Sequence, residues 1–270
     1  MKRPTVPRRL ELIAPETRKS LQQIPKVRSL DDLLDVALTL PNHHVDGAVG
    51  KLAQKHPDAS ITELIDIATD AYIKKSALFS AGVGAGAAIP GTGTAVGVAL
   101  TGGELATFAV NTVLYVLTVA RLQGIDTSNL QLRKTLVISA VLGEDGAQLV
   151  ADQLGLGVIN WAKTQITSMA TPTLKSVNTR LANYANKKLA QKIGQNAVGK
   201  LVPFGIGAAI GYLSGRSIAK TTVEGIRAAI GAPRDASATQ VLAELDGEMG
   251  YCGYGTQLSE HERIRITDGR

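Results

Sequence analysis

The sequence predicts an all-α fold, a compact multi-helix bundle whose central helices are rich in glycine and closely packed. Apolar residues recur every three to four positions along most of the chain, which is the period of a buried helix face. No segment before residue 250 shows a convincing strand pattern. Of the 270 residues 44% are hydrophobic but only 4% are aromatic, so aliphatic side chains and alanine must fill the core. Closely packed helices suit such a composition.

Composition divides the chain into three segments. Residues 1–28 carry four prolines and eight Lys/Arg, and predict a basic, disordered arm. Residues 29–231 predict the helical domain. Residues 232–270 predict a polar, largely flexible tail with one weak helix over Ser237–Leu245. The single cysteine, Cys252, excludes an internal disulfide.

Caps and breakers place the helices of the first half. Ser60 with Glu63 three residues later forms a capping box, and Gln123-Gly124 ends a long apolar helix. Pro41 stops the first helix. The predicted helices cover 30–40, 45–55, a third from Ser60 with its apolar face traced to Tyr72, 101–121, 130–142 and 146–154. The glycine-rich stretch follows the third helix.

Three further helical segments are predicted in the second half. A segment lies around Trp161, and a longer helix starts at Thr171-Pro172, because proline is favoured in a first helical turn. A second glycine-rich helix covers residues 202–231.

Glycines repeat at intervals of four within the glycine-rich stretches. That interval places them on one face of a helix. Each glycine costs about 1 kcal/mol of helix propensity relative to alanine, a cost that is offset where a neighbouring helix must approach closely. We therefore predict helix packing through Gly82, Gly86, Gly93, Gly97, Gly207, Gly211 and Gly215.

The length of the apolar runs bears on the environment of these helices. The runs cover 77–89, 105–120 and 202–215, and each is shorter than the roughly 20 residues that span a bilayer. A buried helical centre is the favoured interpretation, and a membrane-inserted hairpin is the alternative.

Motifs for catalysis, cofactors and metals are incomplete. Residues 194–200 match GxxxxGK, but Leu201 stands where a phosphate-binding loop needs Ser or Thr. His43, His44 and His56 lack metal-ligand spacing. We predict no catalytic, cofactor or metal site, no small-molecule substrate and no enzyme activity. Glu104 is the one charge between residues 76 and 120. It is interpreted as a helix cap with Thr101, with a functional acid as the alternative.

Charge is distributed in blocks along the chain. The first thirty residues are basic, residues 31–70 are acidic, and residues 153–223 contain no acid but nine bases. Such blocks indicate an anionic partner or a complementary acidic surface in the same molecule. The candidate lipid or anion contacts are Trp161, Lys163, Lys187, Lys188 and Lys192.

The order of several motifs resembles the EcsC family of bacterial proteins. The resemblance covers about residues 60–231. It is carried by Pro90-Gly91, Thr-Gly-Gly-Glu104-Leu, Gly124-Ile125-Asp126 and Leu201-Val-Pro203-Phe-Gly205-Ile-Gly207-Ala-Ala-Ile-Gly211. The chain departs from the family pattern where Glu104 replaces an Asp, Gln123 a Tyr, and Ser214-Gly215 a frequent Asn. The resemblance implies a helical, non-enzymatic protein at the cytoplasmic face of the membrane, linked in the family's namesake to an ABC transporter and secretion.

These observations together predict a membrane-associated helical protein that binds anionic lipid or a membrane protein at the cytoplasmic face of the cell membrane. The alternatives are an integral membrane hairpin protein and a soluble scaffold or nucleic-acid-binding module that uses the same basic surface. Nucleic acid is disfavoured, because aromatic side chains suited to base stacking are scarce. A homo-oligomer is left open.

Overall fold

The computed structural model describes residues 34–35, 38–87, 102–156, 161–164, 169–196 and 206–251, and confirms the all-α fold class. In 82–87, 102–106, 164, 189–196, 206–214 and 248–251 it describes the backbone alone. Nine helices lie within these residues, with no strand among them: α1 Asn42–Lys55, α2 Ile61–Ala87, α3 Gly102–Leu122, α4 Leu130–Leu142, α5 Glu144–Gln153, α6 Trp161–Thr164, α7 Thr171–Asn196, α8 Ile206–Ile230 and α9 Ala238–Tyr251.

The observed helix boundaries lie close to the capping and helix-breaking residues in the sequence. Helix α4 has the predicted bounds, and Asn129 caps it by accepting hydrogen bonds from the amides of Gln131 and Leu132. Helix α3 ends one residue before Gln123, and Gly124 then takes a φ of 77°, which glycine adopts without strain. The predicted arm and the C-terminal part of the predicted tail lie outside the described residues.

Helix α8 is the central element of the bundle. It packs most extensively against α2 and also contacts α4, α5, α6 and α3. Gly225 lets α8 approach α4, because a Cβ atom at that position would lie 2.8 Å from Gly143 Cα and closer still to Ala140 O. The core around it is aliphatic, with Leu117, Leu136 and Ile226 completely buried.

Helices α2 and α8 run antiparallel. Asp66 of α2 pairs with Arg227 of α8 at 2.9 Å, and Gly215 lies against Ser76 and Ser80 more than two turns further along α2. Helix α3 is also antiparallel to α2. Two buried hydroxyl pairs fix that register, Thr69 with Tyr115 at 3.0 Å and Tyr72 with Thr112 at 3.1 Å.

One end of the bundle therefore collects the ends of several helices. The C-terminus of α2 and the N-termini of α3 and α8 lie there, since both α3 and α8 are antiparallel to α2. Helix α4 is antiparallel to α8, so its C-terminus points to the same end. Helix α7 runs parallel to α4, so its C-terminus points there too. We call this the apical end. The N-termini of α2, α4 and α7 point to the opposite, basal end.

A short clasp joins the starts of α2 and α9 at the basal end. Ser60 and Ser237 form an isolated antiparallel bridge, in which the amides of Ile61 and Ala238 donate to Ala236 and Ala59. Each serine also caps its own helix. The Ser60 amide donates to Glu63 Oε2 at 2.8 Å, which confirms the predicted capping box. The Ser237 amide donates in the same way to Gln240 Oε1 at 2.8 Å.

Helix α9 confirms the helix predicted over Ser237–Leu245 and extends it. It runs to Tyr251 rather than Leu245, and it packs against α1 with Val241 and Leu245 almost completely buried. Arg234 strengthens the connection before it by pairing with Glu244 through both terminal guanidinium nitrogens. The helix thus continues to residue 251, six residues into the part of the tail that was predicted to be flexible. Its apolar residues Val241, Leu242 and Leu245 recur at helical spacing.

Candidate functional site

The predicted aromatic anchor, Trp161, lies in the core. Its side chain is 1% exposed, and its indole N–H donates to Ala147 O at 3.0 Å. A buried, hydrogen-bonded indole has no surface to offer a lipid headgroup, so the interpretation of Trp161 as an interfacial anchor is wrong for this structure. A lone tryptophan beside a lysine is equally typical of a core residue, and the sequence did not distinguish the two.

The predicted lysines divide into different environments. Lys163 donates to Ala232 O just after α8, and burial, with Arg234 nearby, lowers the pKa of its ammonium. Lys188 pairs with Asp145 at 2.7 Å, and that hydrogen bond lowers the pKa of the Asp145 carboxyl. Lys187 is exposed, and Lys192 lies in α7 where the backbone alone is described. Lys163 and Lys188 therefore lie in separate environments, each already engaged within the protein.

The acidic block of residues 31–70 is partly neutralised inside the molecule. Its carboxylates pair with cations that lie outside the acid-free block of residues 153–223. The pairs are Asp35 with Lys134, Asp46 with Arg121 and Asp66 with Arg227, the last of these cations coming just after the block. Among the described residues, no acid of residues 31–70 thus pairs with a cation of the acid-free block.

A second group of cations emerges from the antiparallel pairing of α2 and α8. Lys74 and Lys75 of α2 lie at the level of Lys220 and within one turn of Arg216 on α8, given the register set by Asp66–Arg227 and Ser76–Gly215. All four side chains are exposed. None has an ion-pair partner among the described residues. We call Lys74, Lys75, Arg216 and Lys220 the cationic collar.

The collar marks a sharp change of polarity along the α2–α8 pair. Towards the basal end, the next turns carry Asp66, Asp70 and Glu224. Towards the apical end, α2 carries no charge after Lys75, and α8 carries none before Arg216. Leu78, 56% exposed, lies one turn beyond Lys74 on this side, and Ile218, 46% exposed, lies between Arg216 and Lys220 at the level of the cations. Acids and cations therefore follow one another along one axis, and the exposed apolar side chains lie among or next to the cations.

Sequence reasoning missed this arrangement. Arg216 and Lys220 were counted only as members of a block, and Lys74 and Lys75 were not singled out. One signal was available, because a Lys-Lys pair directly precedes one charge-free run and an Arg directly follows another. In the structure, the antiparallel register of α2 and α8 brings the cations at the edges of the two charge-free runs to one level.

Of the predicted packing glycines, Gly215 has described surroundings. A Cβ atom there would lie 2.5 Å from Ser80 Cβ and 2.7 Å from Ser76 O, so α2 and α8 approach more closely than alanine allows. Gly82, Gly86, Gly207 and Gly211 lie in helices whose side-chain surroundings are not described at these positions, and Gly93 and Gly97 lie outside the described residues. Packing of the whole glycine set stays a prediction.

The Glu104 cap also stays a prediction. Glu104 is the third residue of α3, at the apical end, where the N-terminal helix dipole favours a carboxylate. Thr101 lies outside the described residues, and of Glu104 the backbone alone is described.

A groove lies between α4 and α7. Its volume is about 280 Å³, and its walls include Lys175, Asn178 and Asn183. The Asn178 amide is occupied by the protein itself, because it donates to Gln131 and accepts from the Thr135 hydroxyl at 2.8 Å. Its hydrogen bonds join α4 to α7, so they are explained by helix packing.

Chemical groups for catalysis are not clustered in the described residues. No group of three His, Cys, Asp or Glu side chains there is placed to hold a metal ion. The buried tyrosines between α2 and α3 are stacked, with ring centroids 4.2 Å apart. Burial raises the pKa of Tyr115 to about 12, so its phenol stays protonated at neutral pH.

No family model, curated protein or solved structure matches the chain. Within the described ranges, none of the helices combines the length and hydropathy that a bilayer crossing requires. The resemblance to the EcsC family stays a prediction from the residues that carry it.

Proposed function

We propose that this protein is a non-enzymatic, membrane-associated helical protein that binds the anionic surface of a bilayer through its cationic collar. The observation that carries the proposal is the placement of Lys74, Lys75, Arg216 and Lys220 at one level of the α2–α8 pair. Each Lys or Arg near an anionic membrane surface contributes about 1 kcal/mol to binding. Four such cations, grouped on one part of the molecule, supply attraction and also orientation.

The neighbouring chemistry supports a membrane over other anionic partners. Exposed Leu78 and Ile218 lie directly beside the cations, and long Lys and Arg stems can lie along apolar surface while their charged heads remain in water. Nucleic-acid surfaces reward aromatic stacking, and the collar holds no aromatic residue. The EcsC resemblance, with its expected location at the cytoplasmic face, agrees with the same proposal.

The test compares two variants of equal net charge. The first changes the four collar residues to Gln. The control changes Lys51, Lys55, Lys175 and Arg180 to Gln, which are exposed cations away from the collar, without ion-pair partners among the described residues. Co-sedimentation is measured with vesicles containing phosphatidylglycerol and with vesicles of phosphatidylcholine alone.

We expect the collar variant to bind the anionic vesicles at least about tenfold more weakly than the control variant, given the contribution of each cation. Binding of the unmodified chain is expected to weaken between about 0.1 and 1 M salt, as the Debye length falls from about 10 to about 3 Å. Equal losses in the two variants would show that net charge alone acts, and would overturn the assignment to the collar. Equal binding of the unmodified chain to neutral vesicles would overturn the electrostatic mechanism.

A further inference from the structure

The groove between α4 and α7 is bounded by two helices that contain no acidic residue. Neither Leu130–Leu142 nor Thr171–Asn196 includes an Asp or a Glu. The side chains that line the groove are those of two lysines, three amide residues, a threonine and an alanine. The polar groups of both walls are therefore either neutral or positively charged, which is the chemistry that attracts an anion.

Hydrogen-bond donors on both walls are left unused by the protein. Asn178 Nδ2 donates to Gln131 Oε1 at 3.1 Å, so the acceptor of the Gln131 amide is occupied and its nitrogen stays a donor. Gln131 Nε2 and the Asn183 side-chain amide make no hydrogen bond among the described residues, and Lys175 has no ion-pair partner there. Asn183 and Lys175 are exposed. Free N–H donors thus line the groove on the α4 side and on the α7 side.

The second lysine of the groove is already paired. Lys134 lies 3.0 Å from Asp35, and the two charges offset each other. Asp145, at the start of α5, is held by Lys188 at 2.7 Å. Lys175 therefore supplies the unpaired charge of the lining residues, and that charge is positive.

We propose that this groove binds the phosphate group of a small soluble phosphate ester, such as a sugar phosphate. Amide N–H groups and the ammonium of lysine are common phosphate ligands. A phosphate has oxygens that point in several directions, so it can accept from Gln131 on one wall and from Lys175 and Asn183 on the other. The volume of about 280 Å³ is close to the lower limit of about 300 Å³ for small-ligand pockets. The lining includes no aromatic side chain on which a nucleobase could stack.

The position of the groove favours a soluble ligand over a lipid headgroup. Gly143, at the end of α4, lies against Thr221, the residue after Lys220 of the cationic collar. Gln131 lies twelve residues before Gly143 in sequence, which at 1.5 Å per residue is about 18 Å further towards the basal end. The groove is therefore displaced from the level that contacts a bilayer. The solubility of the ligand rests on the proposed function, whereas the phosphate site itself does not.

The experiment is a calorimetric titration of the full-length chain with glucose 6-phosphate and with inorganic phosphate, and glucose serves as the uncharged reference. Two variants of equal net charge are compared, Lys175→Gln and Arg180→Gln. Arg180 is the matched control, because it is an exposed cation of the same helix that does not line the groove. Asn183→Ala removes a donor from an exposed position without a change of charge. The titration with glucose 6-phosphate is repeated in the presence of phosphatidylglycerol vesicles.

We expect saturable binding of glucose 6-phosphate and of inorganic phosphate, with an affinity that falls about tenfold in Lys175→Gln and about fivefold in Asn183→Ala, because hydrogen bonds to charged groups are among the stronger ones. Arg180→Gln should bind as the unmodified chain does. An equal loss in Lys175→Gln and Arg180→Gln would show that net charge alone acts, and would overturn the site. Absence of saturable binding, or equal binding of glucose, would also overturn it.

The source of the phosphate and the proposed function are read separately. Vesicles that displace glucose 6-phosphate would assign the groove to a lipid headgroup and overturn the soluble ligand. Vesicle sedimentation of Lys175→Gln is expected to match that of the unmodified chain, since the groove lies away from the collar. A chain that binds glucose 6-phosphate but does not sediment with vesicles would overturn the proposed function and leave the groove site standing.

Discussion

Gly215 shows at the scale of one residue what the glycine spacing achieves. Neighbouring atoms of α2 occupy the space that a side chain would need: Ser80 Cβ and Ser76 O lie 2.5 and 2.7 Å from the position of a Cβ atom. Gly47 is different, because it is exposed in α1 and no atom lies within 4 Å of the equivalent position. Glycine therefore permits close helix packing at position 215, whereas at position 47 it only lowers the helix propensity.

Alanine at these two glycines is expected to shift stability in opposite directions. Gly215→Ala should destabilise the fold by about 1–3 kcal/mol, because overpacking forces α2 and α8 apart. Gly47→Ala should stabilise it by up to about 1 kcal/mol, since helix propensity alone changes there. Urea unfolding followed by circular dichroism measures both. Stabilisation by both substitutions would mean that the α2–α8 contact is looser than described.

The roles of individual residues were predicted correctly where the signal is local and incorrectly where it depends on tertiary contacts. A capping box is a local motif, so the hydrogen bonds of Ser60 and Glu63 were predictable from four residues of sequence. The burial of Trp161 depends on Ala147, which belongs to another helix. Local patterns cannot report such a contact, and the assignment of Trp161 failed for that reason.

At the scale of the helix, α2 and α9 begin with the same cap in two chemical versions. Ser60 pairs with a carboxylate, Glu63, and Ser237 pairs with an amide, Gln240. Hydrogen bonds from the Ser60 backbone amide and hydroxyl lower the pKa of the Glu63 carboxyl below its ordinary value of 4.5. The ionised cap is therefore favoured in the folded state.

Stability should depend on pH through the first cap and not through the second. Because the folded pKa of Glu63 is lowered, its contribution is complete above about pH 4.5 and is lost as the pH falls through the folded value. Glu63→Gln should therefore lower the melting temperature near neutral pH and have a smaller effect in acid. Gln240→Glu should do the reverse, stabilising near neutral pH. Thermal melts of both variants at about pH 7 and about pH 3 test this. A Glu63→Gln effect that does not change with pH would refute the charged-cap interpretation.

Helix positions were largely predictable, but helix partners were not. Capping residues and glycines mark the start of α2, the end of α3 and both ends of α4, and those signals lie within a few residues of each boundary. The collar could not be predicted in the same way. Lys74 and Lys220 are far apart in sequence, and only the antiparallel register of α2 and α8 brings them to one level.

At the scale of the whole molecule, the arrangement of charge is axial. Acids lie towards the basal end of the α2–α8 pair, cations form a collar beyond them, and two exposed apolar side chains, Leu78 and Ile218, lie beside these cations. Counting charges by sequence block had suggested a general basic surface, yet intramolecular pairs such as Lys188 with Asp145 remove part of it. The fold thus concentrates unpaired positive charge at the level of the collar.

The clasp between Ser60 and Ser237 also bears on the order in which the protein folds. Most of the described bundle lies between these two residues in sequence, so the bridge can close only after the intervening helices have brought its halves together. Closing a chain segment costs entropy that grows slowly with its length, and contacts made after the rate-limiting step affect mainly the rate of unfolding. Ser237→Ala keeps the backbone bridge but removes the hydroxyl that accepts from the Gln240 amide at the start of α9, a loss of about 1 kcal/mol. Because this helix start joins the clasp late, the substitution should speed unfolding about fivefold and leave the refolding rate nearly unchanged. Stopped-flow measurements in urea test this. If the clasp instead forms first and guides the helices into place, the substitution would slow refolding and leave the unfolding rate unaltered.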